Sequence, residues 1–268
     1  MPELPDVENV RLGLRKHLPS GSRSERVTLY RADLRFPFPV NLDKKLKGES
    51  VLGVHRRAKY LIFETEKYWL VSHLGMTGSW RAFDGKETHD HVQWKFVNGP
   101  TLVFNDPRRF GFLTLFSKKT TPSHFENLGP EPLEKDFHPV YLFHVSRKKN
   151  QPLKSFLLDQ KIVAGLGNIY VCEALFSAGL SPIKKAMQLT RKNCDLLVPV
   201  IQSILRNAIA EGGSTIRDYK NAEGKSGDFQ DHFNVYGRDG ERCLECRTVI
   251  RKRKQAGRST FWCHQCQK

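Results

Sequence analysis

Apolar positions along the chain fall into three regimes. Val7, Val10, Leu14 and Leu18 recur at spacings of three, four and four, the period of a helix with one buried stripe, so the chain is expected to open on a helix. From Val27 to about Phe116 the pattern changes to short β-rich runs: VTLY, KYLIF, YWLVSHL, HVQWKFV and TLVF. Asn98-Gly99 between the last two is a hairpin turn signal. This half reads as a β-sandwich behind a leading helix. The stretch from Leu128 to Lys154 carries Pro130, Pro132, Pro139 and Pro152 with a basic RKKN, and reads as the connection into a second, helical part. There Leu197, Ile201, Ile204 and Ala208 form another helical stripe ending at Gly212-Gly213, and Pro199 is expected to kink that helix or delay its start. No internal repeat is evident.

Charge narrows the classes of partner. With 44 Lys+Arg against 28 Asp+Glu, the 268-residue chain carries a formal charge of +16 and is drawn to a polyanion, nucleic acid before a membrane surface. No apolar run reaches the roughly 18 residues that a membrane span needs, and the N-terminus lacks the apolar core of a signal peptide, so a soluble, intracellular protein is expected. Six cysteines in such a chain do not suggest a disulfide framework. Cys243, Cys246, Cys263 and Cys266 form a C-x2-C-x16-C-x2-C pattern, the spacing of a closed, structural zinc site. Cys172 and Cys194 lack such spacing and read as small core residues. Between the cysteine pairs, Arg251, Lys252, Arg253, Lys254 and Arg258 crowd a short two-stranded ribbon, a cationic finger suited to phosphates.

Several shorter stretches carry candidate chemistry. The opening MPELPDVENV has two readings. With Met1 removed, Pro2 is a terminal secondary amine beside the Glu3 and Asp6 carboxylates; alternatively, Pro5 only starts the helix, and Asp6 and Glu8 favour the positive end of its dipole. LDQKIVAGLGNIYVCEALFSAGLSP reads as helix–turn–helix, in which Gly165 and Gly167 let the backbone approach a ligand, and Asn168 and the following helix N-terminus suit a phosphate. The glycine fingerprint is incomplete and no strand precedes it, so the condition for a dinucleotide site fails. Lys59 follows Arg56 and Arg57 at the start of an apolar strand. DPRRFGF places Phe110 among arginines, where it could insert into a base stack, and HLGMTG puts Met76 in a comparable loop, although a Met or Phe beside glycine is more often a packed loop residue. His89 and His91 in THDHV suit phosphate contact or simple structure better than a metal.

Taken in order, PELPDVE, RRAKY, HLGMTGS, NDPRRFG, LLDQKIVAGLGNIYVCEALF, VYGRDGERC and GRSTFWCHQCQK resemble the bacterial formamidopyrimidine-DNA glycosylases across essentially the whole chain. That family typically reads PELPEVE, so Asp6 stands where a glutamate is expected, one methylene shorter. The resemblance implies an α+β protein: an N-terminal β-sandwich with a leading helix over 1–131, a helical helix–two-turns–helix domain over 132–232, and a β-ribbon zinc finger over 233–268 binding one structural Zn2+. It implies a bifunctional glycosylase and AP lyase acting as a monomer in the bacterial cytoplasm, on nucleoid DNA, with no membrane association. The partner is double-stranded DNA containing oxidised purines, cut by β,δ-elimination. Pro2 resembles the nucleophile, Glu3 the group that handles protons at the sugar, and Asp6 the supporting carboxylate. Lys59 belongs with this catalytic group and, with His89, Asn168 and Arg258, grips phosphates. Lys154 is expected close to the damaged nucleotide. Met76, Arg108 and Phe110 resemble the residues that fill the gap left by the extruded base, and the stretch from about Arg217 to Phe229 a loop over that base. Two alternatives remain: the sister endonuclease VIII-like family acting on oxidised pyrimidines, and a non-enzymatic zinc-ribbon DNA-binding protein.

Overall fold

The computed structural model describes residues 2–214 and 229–268. The loop expected between Arg217 and Phe229 lies, apart from Phe229 itself, outside the described residues. The chain divides into two compact units, one formed by 1–126 with 211–228 and the other by 127–210 with 229–268.

The first unit opens with helix α1 (Leu4–His17), whose Val7, Val10 and Leu14 are fully buried, the stripe its spacing dictates. Eight antiparallel strands follow: β1 (Ser22–Leu29), β2 (Ser50–Arg57), β3 (Tyr60–Thr65), β4 (Tyr68–His73), β5 (Ser79–Ala82), β6 (Asp90–Phe96), β7 (Thr101–Asn105) and β8 (Phe112–Ser117), with the short helix α2 (Leu42–Leu46) after β1. Their order in the sheet is β5-β7-β6-β1-β2-β3-β4-β8. β1 pairs with β2 at its start and with β6 over its remainder, and its register slips between Ser24 and Arg26. A bulge there bends the strand, so the two halves fold face to face, as a sandwich requires. Phe63 of one half meets Trp80 and Trp94 of the other at ring-centroid distances of 5.1 and 5.4 Å. Both indoles are satisfied within this core, Trp80 donating to Ser72 Oγ at 2.9 Å and Trp94 to Ser24 Oγ at 2.8 Å. The β6–β7 hairpin turns at Asn98, whose φ of 49° is the left-handed conformation that the Asn-Gly signal anticipates.

The second unit contains α3 (Pro139–Ser146), α4 (Leu153–Leu158), α5 (Asn168–Ser177) and α6 (Arg191–Ala210), then the ribbon β9 (Arg251–Gln255) and β10 (Arg258–Trp262). Leu197, Ile201 and Ala208 are buried as expected, but Pro199 neither delays nor ends α6. Its ring is exposed, so the Asp195 carbonyl that loses its helical partner lies on the solvent face, where water replaces the bond. The ribbon pairs Gln255 with Arg258 across Ala256 and Gly257, both left-handed at φ 45° and 75°, a two-residue turn whose twist matches the strands. Its base packs Phe261 and Ile250 against Cys172 and Phe176 of α5, which makes Cys172 a core residue, as Cys194 is in the helical core. Among the described residues no helix is long and apolar enough to cross a membrane.

Candidate functional site

The opening residues are buried. Pro5 does begin α1, yet Pro2, Glu3 and Asp6 are all withdrawn from solvent, Glu3 and Asp6 at 3% and 2% exposure. Carboxylates placed only to complement a helix dipole remain wet, because burying them costs several kcal/mol, roughly. Asp6 Oδ2 accepts from the Glu3 backbone N–H at 2.7 Å, and Oδ1 from the Ser214 N–H at 2.8 Å. Burial pushes the Asp6 carboxyl up to about 7; the two backbone donors pull it down, and the Glu3 charge adds to the rise. The aspartate thus reaches a partner 208 residues away despite its shorter side chain. Gly213 permits that approach: it sits at φ +90°, and a Cβ there would lie 2.5 Å from Asp6 Oδ1. Two residues further along, Glu8 accepts from Arg56 Nε at 2.9 Å and from Arg11 Nη2 at 2.6 Å. Burial opposes its ionisation, but these two guanidiniums hold the Glu8 carboxyl below its usual range. Arg56 also donates to the Ala58 carbonyl at 2.9 Å, and Ala58, at φ 51°, forms with Lys59 the tight turn between β2 and β3. Glu8 therefore ties the terminal helix to the turn carrying the buried Lys59.

Met76, Arg108 and Phe110 are exposed tips on a rigid base. Asp106, wholly buried, accepts from Thr77 Oγ1 at 2.6 Å and from the Gly111 N–H at 2.7 Å, while Thr77 Oγ1 accepts from the Arg108 N–H at 3.1 Å. The HLGMTG and DPRRFG loops are so closely joined that a Cβ on Gly75 would meet Gly111 N and Phe110 C at 2.4 Å. Gly75 also donates to His73 Nδ1 at 3.0 Å, and burial, reinforced by the Lys59 charge, pushes the His73 ring down to about 4, so it stays neutral as an acceptor. Above this base Met76 is 37% and Phe110 42% exposed, with the Arg108 guanidinium 4.9 Å from the Phe110 ring. His89 joins the cluster through its backbone: the Asp106 N–H donates to its carbonyl at 3.1 Å, and its φ of 75° leaves the side chain exposed. His91 is instead buried, with Nε2 2.9 Å from the Asp106 carbonyl, a structural role. Asp106 and Thr77 escape a reading by residue chemistry. Their signal is local: an Asp before Pro fixes a turn, and a Thr beside Gly satisfies loop backbone.

In the second unit, Gly165 takes φ +83° and Gly167 precedes the first turn of α5. Gln160 secures this turn, accepting from the Gly165 N–H at 2.8 Å and donating to the Leu166 carbonyl at 2.9 Å. Asn168 Nδ2 donates to the Ser259 carbonyl at 2.9 Å, while its Oδ1 is buried without a hydrogen-bond partner among the described residues. Lys154, expected close to the damaged nucleotide, lies at the start of α4. It is wholly buried, and Nζ donates to the Ser259 carbonyl and to Thr260 Oγ1, both at 2.8 Å. Arg258, at the start of β10, is exposed. Glu173, inside α5, accepts from the Asn234, Val235 and Tyr236 N–H groups at 2.9, 3.0 and 2.8 Å and so anchors the chain leading into the ribbon.

The Sγ atoms of Cys243, Cys246, Cys263 and Cys266 all lie within 4.8 Å of one another, with Cys243–Cys266 at 3.9 Å and Cys246–Cys263 at 3.4 Å. Tetrahedral zinc with bonds of about 2.3 Å demands sulfur separations of about 3.8 Å, so these four fit one zinc ion and leave no open position.

Three family models match the chain: the formamidopyrimidine-DNA glycosylase N-terminal domain over residues 1–113, the formamidopyrimidine-DNA glycosylase H2TH domain over 128–220, and the zinc finger found in FPG and IleRS over 240–268. A formamidopyrimidine-DNA glycosylase of Ruegeria pomeroyi is 44% identical over the full length of both chains. Among solved structures, a Lactococcus lactis FPG variant in complex with Fapy-dG-containing DNA matches at a TM-score of 0.91, and MutM in complex with DNA containing carbocyclic 8-oxo-G at 0.90. Each is 39% identical, with all of both chains covered. With family models over most of the chain and relatives matched along all of it, the chain belongs to the formamidopyrimidine-DNA glycosylase family.

Proposed function

We propose that this protein removes oxidised purines, 8-oxoguanine and formamidopyrimidines, from duplex DNA with Pro2 as nucleophile, and then cuts the strand by β,δ-elimination. The observation that carries the reading is the burial of Glu3 and Asp6 beside Pro2 at the head of α1. With Met1 removed, the Pro2 nitrogen is a terminal secondary amine, whose unprotonated form is the nucleophile. Its lone pair attacks C1′, the bond to the damaged base breaks with its electron pair leaving on the base, and the proton of the attacking nitrogen passes to that base. Glu3 delivers a proton to the sugar ring oxygen as the ring opens, giving an iminium between Pro2 and C1′. A secondary amine forms only a cationic iminium, which draws the electron pair released when the C2′ proton is removed and the 3′ phosphate leaves; a second elimination expels the 5′ phosphate. Asp6 holds the terminal turn through the Glu3 N–H.

Lys59 and His89 in the first unit and Asn168 and Arg258 in the second are assigned to backbone phosphates. Met76, Arg108 and Phe110 fill the space of the extruded base, Arg108 facing the orphaned cytosine; insertions of this kind offset an unstacking cost of a few kcal/mol, roughly. The rigid base beneath three exposed tips supports this assignment, since a wedge works only if its support does not yield. The purine substrates rest on kinship with proteins solved on Fapy-dG and 8-oxo-G DNA.

Borohydride reduction during reaction with an 8-oxoguanine:cytosine duplex tests the mechanism. The expected product is a stable protein–DNA adduct mapped by peptide mass to Pro2, from protein whose intact mass lacks Met1. A tag retained ahead of Pro2 abolishes trapping and cleavage, because an amide nitrogen is no nucleophile. An adduct on Lys59, or full cleavage by protein shown to retain the tag, refutes the assignment.

A further inference from the structure

We infer that Lys154 is a positioning residue: with Asn168 it fixes the tip of the zinc ribbon, and so the place where Arg258 meets a DNA phosphate. The inference rests on the phosphate role given to Arg258 above. Lys154 is wholly buried, and its ammonium reaches the Ser259 carbonyl and Thr260 Oγ1, each at 2.8 Å. The same Ser259 carbonyl accepts from Asn168 Nδ2 at 2.9 Å. Thr260 Oγ1, having accepted from Lys154, donates to Gln255 Oε1 at 2.7 Å. Gln255 is the cross-strand partner of Arg258. A single network therefore grips both strands at the ribbon turn and reaches the residue next to Arg258.

The ribbon needs such a grip. All of β9 except Gln255 is exposed, and the packing of Phe261 and Ile250 on α5 holds the base of the ribbon and not its turn. The cysteines constrain only the far end, where Cys263 follows β10. Charge-assisted hydrogen bonds inside a buried network are stronger than neutral ones, and they suit an element that must hold one cation in register with a phosphate. Lys154 thus serves DNA binding through Arg258 and contributes no phosphate contact of its own.

The test uses the full-length zinc-loaded protein and a fluorescent duplex bearing a tetrahydrofuran abasic site, with Kd measured from 50 to 300 mM KCl. Lys154→Met, Thr260→Val, Arg258→Ala and the Lys154→Met/Arg258→Ala double variant are compared, with zinc content and melting recorded for each. Arg258→Ala is expected to weaken binding about tenfold and to flatten the salt slope by about one unit, the signature of one lost phosphate contact. Lys154→Met and Thr260→Val are expected to do the same with zinc retained, Thr260→Ser to bind as the wild type does, and the double variant to lose no more than Arg258→Ala alone. A double variant whose slope flattens by about two units shows that Lys154 meets a phosphate itself, which overturns this inference and leaves the proposed reaction standing. An Arg258→Ala protein that binds like the wild type overturns the phosphate role of Arg258 and this inference with it. Thr260→Val reports on the same network if Lys154→Met fails to fold, and wild-type binding by that variant likewise refutes the proposal.

Discussion

Replacing Asp6 by Asn removes a titration that sets the pH dependence of stability in the first unit. The Asp6 carboxyl titrates at about 7 in the folded protein against an ordinary 3.8, chiefly because it is buried. Between those values the folded state holds a proton that the unfolded chain has lost, so the stabilisation is complete below pH 3.8 and is lost as pH rises through 7. A difference of about three pH units, at about 1.4 kcal/mol each, amounts to about 4 kcal/mol. Asn at the same position keeps one acceptor for the Glu3 or Ser214 N–H and turns an N–H group towards the other, a pH-independent loss of about 1–3 kcal/mol. The stability of the wild type relative to Asp6→Asn should therefore fall by about 4 kcal/mol from pH 4 to pH 8, from an advantage of about 1–3 kcal/mol to a deficit of about the same size, because other groups titrate equally in both proteins and cancel. At about 2–4 °C per kcal/mol, the Tm difference shifts by roughly 10 °C and reverses sign. Paired calorimetric melts at half-unit pH steps give the measurement. A gap constant to within about 1 kcal/mol across that range means that Asp6 ionises as a solvated carboxylate does, and refutes the reasoning.

Gly213→Ala places a Cβ 2.5 Å from Asp6 Oδ1 at a φ of +90°, and is expected to lower the stability of the first unit and slow strand cleavage, read by melting and by a single-turnover assay. Cys263→Ser should release zinc and abolish tight DNA binding while the sheet unit's melting transition is retained; near-stoichiometric zinc in the variant by metal analysis counts against a four-cysteine site. Arg108→Ala should lose about 1–3 kcal/mol of discrimination between cytosine and adenine opposite the lesion, seen as a converging ratio of cleavage rates on the two duplexes.

What the sequence determined by itself was whatever local spacing encodes. The helical period of Val7, Val10 and Leu14 marks a buried face without reference to what covers it, and the paired C-x2-C turns aim thiolates whatever the rest of the fold does. The order of short motifs sufficed for family membership, because each is a contiguous stretch with its own residue pattern. Tertiary structure decided the partners. Asp6 and Ser214 are 208 positions apart, Lys154 and Thr260 are 106, and no periodicity connects them. The exposed ring of Pro199 belongs to the same class: a proline ends a helix only where its lost hydrogen bond cannot be replaced, and whether water reaches that carbonyl depends on which face of α6 the helical core covers. Lys154 is the sharpest case. The family resemblance puts it close to the damaged nucleotide, but residue type carries charge and not burial, and only the tertiary structure shows its ammonium on a carbonyl and a hydroxyl.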